Sequence, residues 1–386
     1  MSVRKVKVLH LITRMIVGGA QDNTLQTVKK HDRSRYTVHL ASNPEGVWSK
    51  LGREYADCFH SVPNLVNPIH PVCDLKAFRD ILSLIRKERY DIVHTHSSKA
   101  GILGRFAARM AHVPVTVHTI HSFSFHDFMS PWKRNLFINI ERACREMGDF
   151  YITVSERNRM EAIGLGLVHE DACQTVYSGI DFAKLDRPCD LAETRRQLGI
   201  PEGWRTIVMV GRLDPQKAPY YLIQAFSKVI EIHRNTLLIF AGEGELEESL
   251  KAQARRLEIA DKVMFLGSRS DIPEILKVSD IFSLSSLWEG LGRSMTEAML
   301  LGIPVVVPNI HGIPEIVLHN ETGFLFSPGN VEELAAQLSY VLDHPEEGGR
   351  VGANGRALTR RLFDADHMVH NIERIYEMLL QRKLES

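Results

Sequence analysis

The stretch that most restricts how this chain can fold lies at residues 280–307. Asp280-Ile281-Phe282-Ser283-Leu284 reads as a short buried strand and Glu289-Gly290-Leu291-Gly292 as a tight turn. Residues 294–301 read as a helix, and residues 304–307 as the next strand. Strand, helix and strand in that order make a βαβ unit, with the turn at the carboxyl end of a parallel strand. Gly290 and Gly292 let the backbone come close to a ligand, and the helix that follows turns its free N–H groups toward the same place. A phosphate suits that geometry. Glu289 and Glu297 stand eight residues apart and can face one cleft. No sequence neighbour is expected to neutralise them, so ligand hydroxyls are their natural partners.

This Glu-x7-Glu stretch resembles the signature of retaining glycosyltransferases of family 4, which have the GT-B fold. The resemblance implies that Glu297 holds the nucleotide ribose and Glu289 contacts the donor sugar, while the backbone at Gly290, Leu291 and Gly292 binds the diphosphate. It also implies an α/β architecture of two Rossmann-like parallel-sheet domains facing a central cleft, with a C-terminal helix crossing back to the first domain. From the residues alone, a plain βαβ crossover with surface glutamates stays open.

The 386 residues suffice for two domains, and 44% hydrophobic with 24% charged residues is an ordinary globular balance. No run approaches the eighteen apolar residues of a membrane span. The first residues run straight into a strand without a signal-peptide core, so the cytoplasm is expected. Five cysteines without CxxC spacing suggest neither a disulfide framework nor a zinc site. Net charge is zero, but residues 1–180 carry 24 Lys+Arg against 17 Asp+Glu, and the remainder 23 against 30. That asymmetry fits two domains with different duties, the first facing anionic acceptors or the inner face of a membrane. It is too diffuse to argue for nucleic acid.

Residues 6–12 read as the first strand, followed by Gly18-Gly19 and a helix whose amino end faces a cleft. GxGxxG is not met, which disfavours an NAD enzyme. His94 and His96 alternate along a strand and share a face, but spacing assigns no third metal ligand. Ser97, Ser98 and Lys99 after them either donate to hydroxyls and phosphate or simply cap the strand. Residues 74–89 form an amphipathic pattern with Asp74 as N-cap. The family resemblance places a histidine beside the transferred sugar at the end of the strand 113–120. His121 matches it, with His118 expected on the same face. Residues 132–147 alternate aromatic, basic and apolar side chains, either a core-packed helix with a solvated basic face or a peripheral membrane contact.

In the second half, Thr206-Ile207-Val208-Met209-Val210 is a buried strand that turns at Gly211, and Arg212 and Lys217 project from the loop. Two cations there would neutralise a diphosphate leaving group, and this matches the family's cationic phosphate ligands. Ala218 departs from the family's usual glycine. The resemblance sets the nucleobase against Ser268 and Arg269. The domains expected are 1–180 for the acceptor, a linker at 181–200, and 201–365 for the nucleotide sugar, with 366–386 as the returning helix.

The reading is a retaining transfer of a hexosyl or N-acetylhexosaminyl group from a nucleotide-diphosphate sugar, UDP-linked by resemblance, to an acceptor hydroxyl. The acceptor is lipid-linked, a polysaccharide or a small molecule. Catalysis falls to His121, Glu289, Arg212 and Lys217. Gly18, Gly19, Gly211, Ser268, Arg269, Gly290, Leu291, Gly292 and Glu297 join these cations and Glu289 in binding the donor. No metal and no cofactor are required. A sugar-nucleotide epimerase, a phosphorylase or a non-catalytic nucleotide-sugar-binding protein on the same fold would keep the same cleft.

Overall fold

The computed structural model describes residues 4–125 and 129–385. Residues 1–3, 126–128 and 386 fall within the expected domains but lie outside the described residues. The chain divides into two compact units: Met1–Ile180 with Phe363–Ser386, and Asp181–Leu362.

The first unit is built on seven parallel strands. They are β1 Val6–Arg14, β2 Tyr36–Asn43, β3 Cys58–Ser61, β4 Ile92–His96, β5 Val115–Ile120, β6 Phe150–Thr153 and β7 Cys173–Thr175, in the order β3-β2-β1-β4-β5-β6-β7. The inner strands β4, β5 and β6 are buried on both faces, whereas the edge strands β3 and β7 are partly exposed. The order reverses between β1 and β4, where a doubly wound sheet opens a crevice at its carboxyl edge. The helix Ala365–Glu385 belongs to this unit. Its Met368, Val369, Ile372, Ile375, Tyr376 and Leu379 pack with Val8, Ile12, Leu25, Val28 and Tyr36. Six such side chains are worth on the order of 10 kcal/mol, enough to hold the chain's end on the first sheet.

The second unit repeats the plan with β8 Arg205–Val210, β9 Thr236–Ala241, β10 Val263–Phe265, β11 Ile281–Ser283, β12 Val305–Pro308 and β13 Phe324–Phe326, in the order β10-β9-β8-β11-β12-β13. Its reversal lies between β8 and β11. Residues 181–200, expected as a linker, instead carry the helices Phe182–Leu185 and Leu191–Gln197. The guanidinium of Arg195 donates to Val278 O at 3.0 Å and to Trp204 O at 2.6 Å, and Arg360 pairs with Asp186. The segment is polar enough to read as a linker, but these polar ties and its buried Leu185, Leu198 and Ile200 draw it into the unit. The helix expected at 74–89 runs Pro71–Glu88, because Pro71 starts it and His70 accepts from Cys73 N–H.

Candidate functional site

In the second unit, parallel strands bring the loops after β8, β9, β10 and β11 to one edge. Gly211 follows β8 and Gly242 follows β9. A Cβ on Gly242 would lie 2.0 Å from Gly211 O, and one on Gly244 2.2 Å from Leu213 O. Only glycine lets these loops lie against each other, joined by Leu213 N–H to Glu243 O at 2.9 Å.

The loop after β8 is laced to the loop after β11. Leu287 N–H donates to Gln216 O at 2.9 Å, Gln216 Nε2 to Trp288 O at 3.0 Å, and Ser285 Oγ to Ala218 O at 2.9 Å. These bonds deliver Lys217 Nζ onto Glu289 Oε1, and Ser286 Oγ donates to the same oxygen at 2.8 Å. Lys217 and Glu289 side chains are 14% and 7% exposed, so the pair is shielded from water, and losing one partner strands the other. Glu289 is paired all the same, by a cation that comes from 72 positions earlier and not from a sequence neighbour. Glu297 has one too. Arg293, one helical turn before it, lies 3.4 Å from its Oε1.

Arg212 is exposed, and its Nη2 reaches Gln216 Oε1 and Asp214 Oδ2, both at 3.0 Å. Gly292, at φ 84°, opens the helix Arg293–Leu300, and Gly290 and Leu291 precede it in the same loop. Ser268 N–H donates to Glu243 Oε1 at 3.0 Å. Arg269 forks onto Asp271 at 2.8 and 2.6 Å, which holds the Asp271 carboxyl below its ordinary range. Asp214, Gln216, Glu243, Ser286 and Asp271 were not singled out from sequence. Only the Asp-x-x-Lys spacing at 214–217, where Asp214 accepts from Lys217 N–H, was there to be found.

In the first unit, Gly18 precedes the helix Gly19–Lys30 after β1. His121 follows β5 in a small pocket shared with Ser97, Ser98, His118 and Ser122. His118 is not on its face. The His118 ring meets Thr95 Oγ1 at 2.9 Å, on the side of the sheet opposite His94 and His96. Lys99 turns away from the strand end to Asp74, 2.7 Å distant, and so does not face the pocket. On the helix Pro131–Ala143, Trp132 and Leu136 are exposed and only Ile138 is buried. No described helix is long and apolar enough to cross a membrane.

The third histidine that spacing could not supply is His10 of β1. His10, His94 and His96 present ring nitrogens within 4.8 Å of one another. Each already has partners: His10 joins His31 and His96 at 3.0 Å each, and His96 joins His121 at 3.2 Å. His94 meets Tyr376 Oη at 2.5 Å and Thr119 Oγ1 at 2.7 Å. The cluster is a hydrogen-bonded network of neutral imidazoles. Burial first, and neighbouring imidazoles second, hold His10, His94 and His96 well below the ordinary histidine pKa.

Two doubly wound parallel sheets, each reversing at a carboxyl edge, are the plan of the GT-B fold. The models for Glycosyltransferase Family 4 and for Glycosyl transferases group 1 match residues 17–184 and 190–358. The chain is 31% identical to the Escherichia coli UDP-Gal:alpha-D-GlcNAc-diphosphoundecaprenol alpha-1,3-galactosyltransferase, covering 88% of each. It is 27% identical to the Bacillus anthracis N-acetyl-alpha-D-glucosaminyl L-malate synthase, covering 95% of each. The Anabaena HepE structure with UDP and glucose superposes with a TM-score of 0.84 at 24% identity, over 97% of this chain and all of that one. The chain belongs to glycosyltransferase family 4, and it transfers a glycosyl group from a nucleotide sugar.

Proposed function

We propose that the chain moves a hexose or N-acetylhexosamine from a UDP-linked donor to an acceptor hydroxyl, with retention at the anomeric carbon and without a metal. The observation that carries this is the shielded Lys217–Glu289 pair at the β8/β11 reversal, beside Gly211 and the amino end of the helix Arg293–Leu300. Lys217 and Arg212 stabilise the departing diphosphate as charge develops on it, which removes the need for a divalent cation. The N–H groups at Gly290, Leu291 and Gly292 share that charge. Glu297 takes the ribose hydroxyls, Glu289 the donor sugar, and Ser268 and Arg269 flank the base. His121 is assigned to the transferred sugar. The acceptor hydroxyl attacks on the face the diphosphate leaves, so no covalent enzyme intermediate is needed. The name of the E. coli relative and the basic balance of residues 1–180 support a diphosphate-lipid-linked sugar as acceptor.

Calorimetric titration with UDP, GDP, ADP and NAD, repeated on Glu297→Ala, tests the donor assignment. Micromolar UDP binding that weakens about tenfold in the variant is expected. Preference for NAD, or no nucleotide binding by the folded protein, would sink it. Turnover of a UDP-sugar that survives excess chelator is expected, and loss of turnover on chelation would overturn the metal-free mechanism.

A further inference from the structure

A second group of metal-ligating side chains lies in the first unit, near the edge strand of its sheet. In the parallel register His39 of β2 stands opposite Cys58 of β3, and Ala41 stands opposite His60. Alternation puts His39, Cys58 and His60 on one face of the sheet. On that face Ala41 and Tyr90 pack with Ala77, Ile81 and Ile85 of the helix Pro71–Glu88. His39, Cys58 and His60 each bring one ligand atom within 4.8 Å of the other two. His39 Nδ1 and His60 Nε2 are 3.0 Å apart. Tyr90 Oη closes the group, 2.9 Å from His39 Nδ1 and 3.3 Å from His60 Nε2.

These separations suit a tetrahedral cation. Zn–N bonds of about 2.0–2.1 Å set two imidazole nitrogens about 3.3 Å apart, and a thiolate at about 2.3 Å from the metal stands about 3.6 Å from each. The nitrogens are already at that spacing, and the sulfur has at most about 1.2 Å to close. Two imidazoles and a thiolate suit Zn²⁺, whereas Mg²⁺ and Ca²⁺ take oxygen ligands. The nearby cation Lys7, 5.2 Å from the Tyr90 ring centre, is neutralised by Glu88 at 2.6 Å. His39 is buried, while Cys58 and His60 are part-buried on the edge strand, so an ion has a way in. The trio His10, His94 and His96 is a poorer host. It is wholly buried, and its nitrogens are spent on one another, on Tyr376, Thr119 and His121, and through His31 on Glu373, 2.8 Å from His31.

We propose that His39, Cys58 and His60 form a structural Zn²⁺ site that ties the edge strand β3 to β2, with the fourth corner beside Tyr90 Oη. Strand β3 has reason to need a tie: it has four residues, pairs on one side only, and every residue in it keeps some exposure. On binding, Cys58 gives its thiol proton to solvent and its sulfur to the metal. His39 Nδ1 and His60 Nε2 give lone pairs, and a ring proton held between them moves to the far nitrogen of its own ring. The ion takes no part in glycosyl transfer, where Lys217 and Arg212 of the second unit supply the positive charge. A Cys-x-His pair with its third ligand nineteen residues earlier lacks the paired-cysteine spacing of common zinc motifs, so cysteine spacing alone pointed away from zinc.

The full chain, stripped with a chelator and dialysed, is titrated with Co²⁺ and then Zn²⁺. One equivalent of Co²⁺ is expected to give intense visible d–d bands and a near-ultraviolet thiolate-to-cobalt charge-transfer band, both lost to one equivalent of Zn²⁺ bound at sub-micromolar affinity. No tight binding, or a weak octahedral Co²⁺ spectrum without the charge-transfer band, overturns the proposal without any substitution. Cys58→Ser is expected to remove that band and weaken Zn²⁺ binding at least about 100-fold, and His60→Ala to weaken it comparably, whereas Cys73→Ser keeps both. Tight Zn²⁺ binding that survives in Cys58→Ser and His60→Ala places the ion elsewhere and overturns the site. Zn²⁺ at about 100 times its Kd is expected to raise the melting temperature of the wild-type chain by several degrees and to leave Cys58→Ser unmoved. Equal shifts in the two proteins, or none in the wild type, overturn the tie. UDP-sugar turnover at room temperature is expected to be the same with and without Zn²⁺, and turnover that requires Zn²⁺ overturns the structural role.

Discussion

The two units share one wiring and differ in what fills it. Strands β3-β2-β1-β4-β5-β6 correspond in order to β10-β9-β8-β11-β12-β13. The first sheet buries His10, His39, His94, His96 and His118, whereas the second unit's buried polar side chains, among the described residues, are Thr, Ser and Gln. The ion pairs of its candidate site lie in the strand-end loops, at Lys217–Glu289 and Arg269–Asp271, and in the first turns of the helix Arg293–Leu300, at Arg293–Glu297. A neutral imidazole satisfies both nitrogens inside a sheet, at the cost of fixing its tautomer. A permanent cation cannot be buried so cheaply and is placed at the strand ends, where a phosphate can reach it. The same topology therefore carries hydrogen-bonded histidines inside one sheet and ion pairs at the strand ends of the other.

Acid gives the largest contrast. His10, His31, His94, His96 and His118 are held below the unfolded imidazole value, by burial first. Their folded pKa lies below the unfolded one, so the unfolded chain binds more protons below about pH 6.5 and stability falls as pH drops. Each histidine costs at most about 1.4 kcal/mol per pH unit there. Peptide-resolved hydrogen exchange from pH 7 to 5 should show the first unit losing protection before the second. Simultaneous loss would break the comparison.

Next comes Lys217→Ala, which strands Glu289 and removes a phosphate partner. A fall of about 10²–10³ in kcat/KM for the UDP-sugar is expected, with hydrogen exchange in the first unit unchanged. Gly242→Ala puts a methyl against Gly211 O and is expected to cost about 2 kcal/mol in denaturant unfolding of the second unit and to weaken UDP binding. The smallest effect belongs to Ala218, which opens the helix Pro219–Ile232 at φ 44°, ψ 48°. Ala218→Gly relieves that left-handed strain but frees the unfolded backbone. The net change in the denaturation midpoint should correspond to less than about 1 kcal/mol.

Much of the second unit's site was legible before any coordinates. Gly211, Lys217, Glu289 and Glu297 sit at strand ends and helix starts that apolar runs and glycines mark locally. Glu289's partner was not legible, because 72 residues separate Lys217 from it and nothing in the spacing joins them. Arg293 was overlooked although its i,i+4 spacing to Glu297 is a local signal. In the first unit, His94 and His96 were read as sharing a face. His10, His31 and Glu373 lie on three other elements, so no period could gather them. The face of His118 was misjudged although a step of three residues separates it from His121, an odd step that changes face along an extended strand.

By itself the sequence determined the two parallel sheets, the return of the C-terminal helix and the strand-end placement of Gly211, Lys217, Glu289 and Glu297. The strands and strand-end turns follow from periodicity and turn chemistry within a few tens of residues, whereas the pairing into two sheets and the helix's return were implied by the family resemblance. Only the tertiary structure decided which charges are paired, that residues 181–200 join the second unit, and that four histidines line up between Glu373 and the pocket. Those outcomes depend on side-chain contacts between segments far apart in sequence, whose geometry the sheet register and helix packing set.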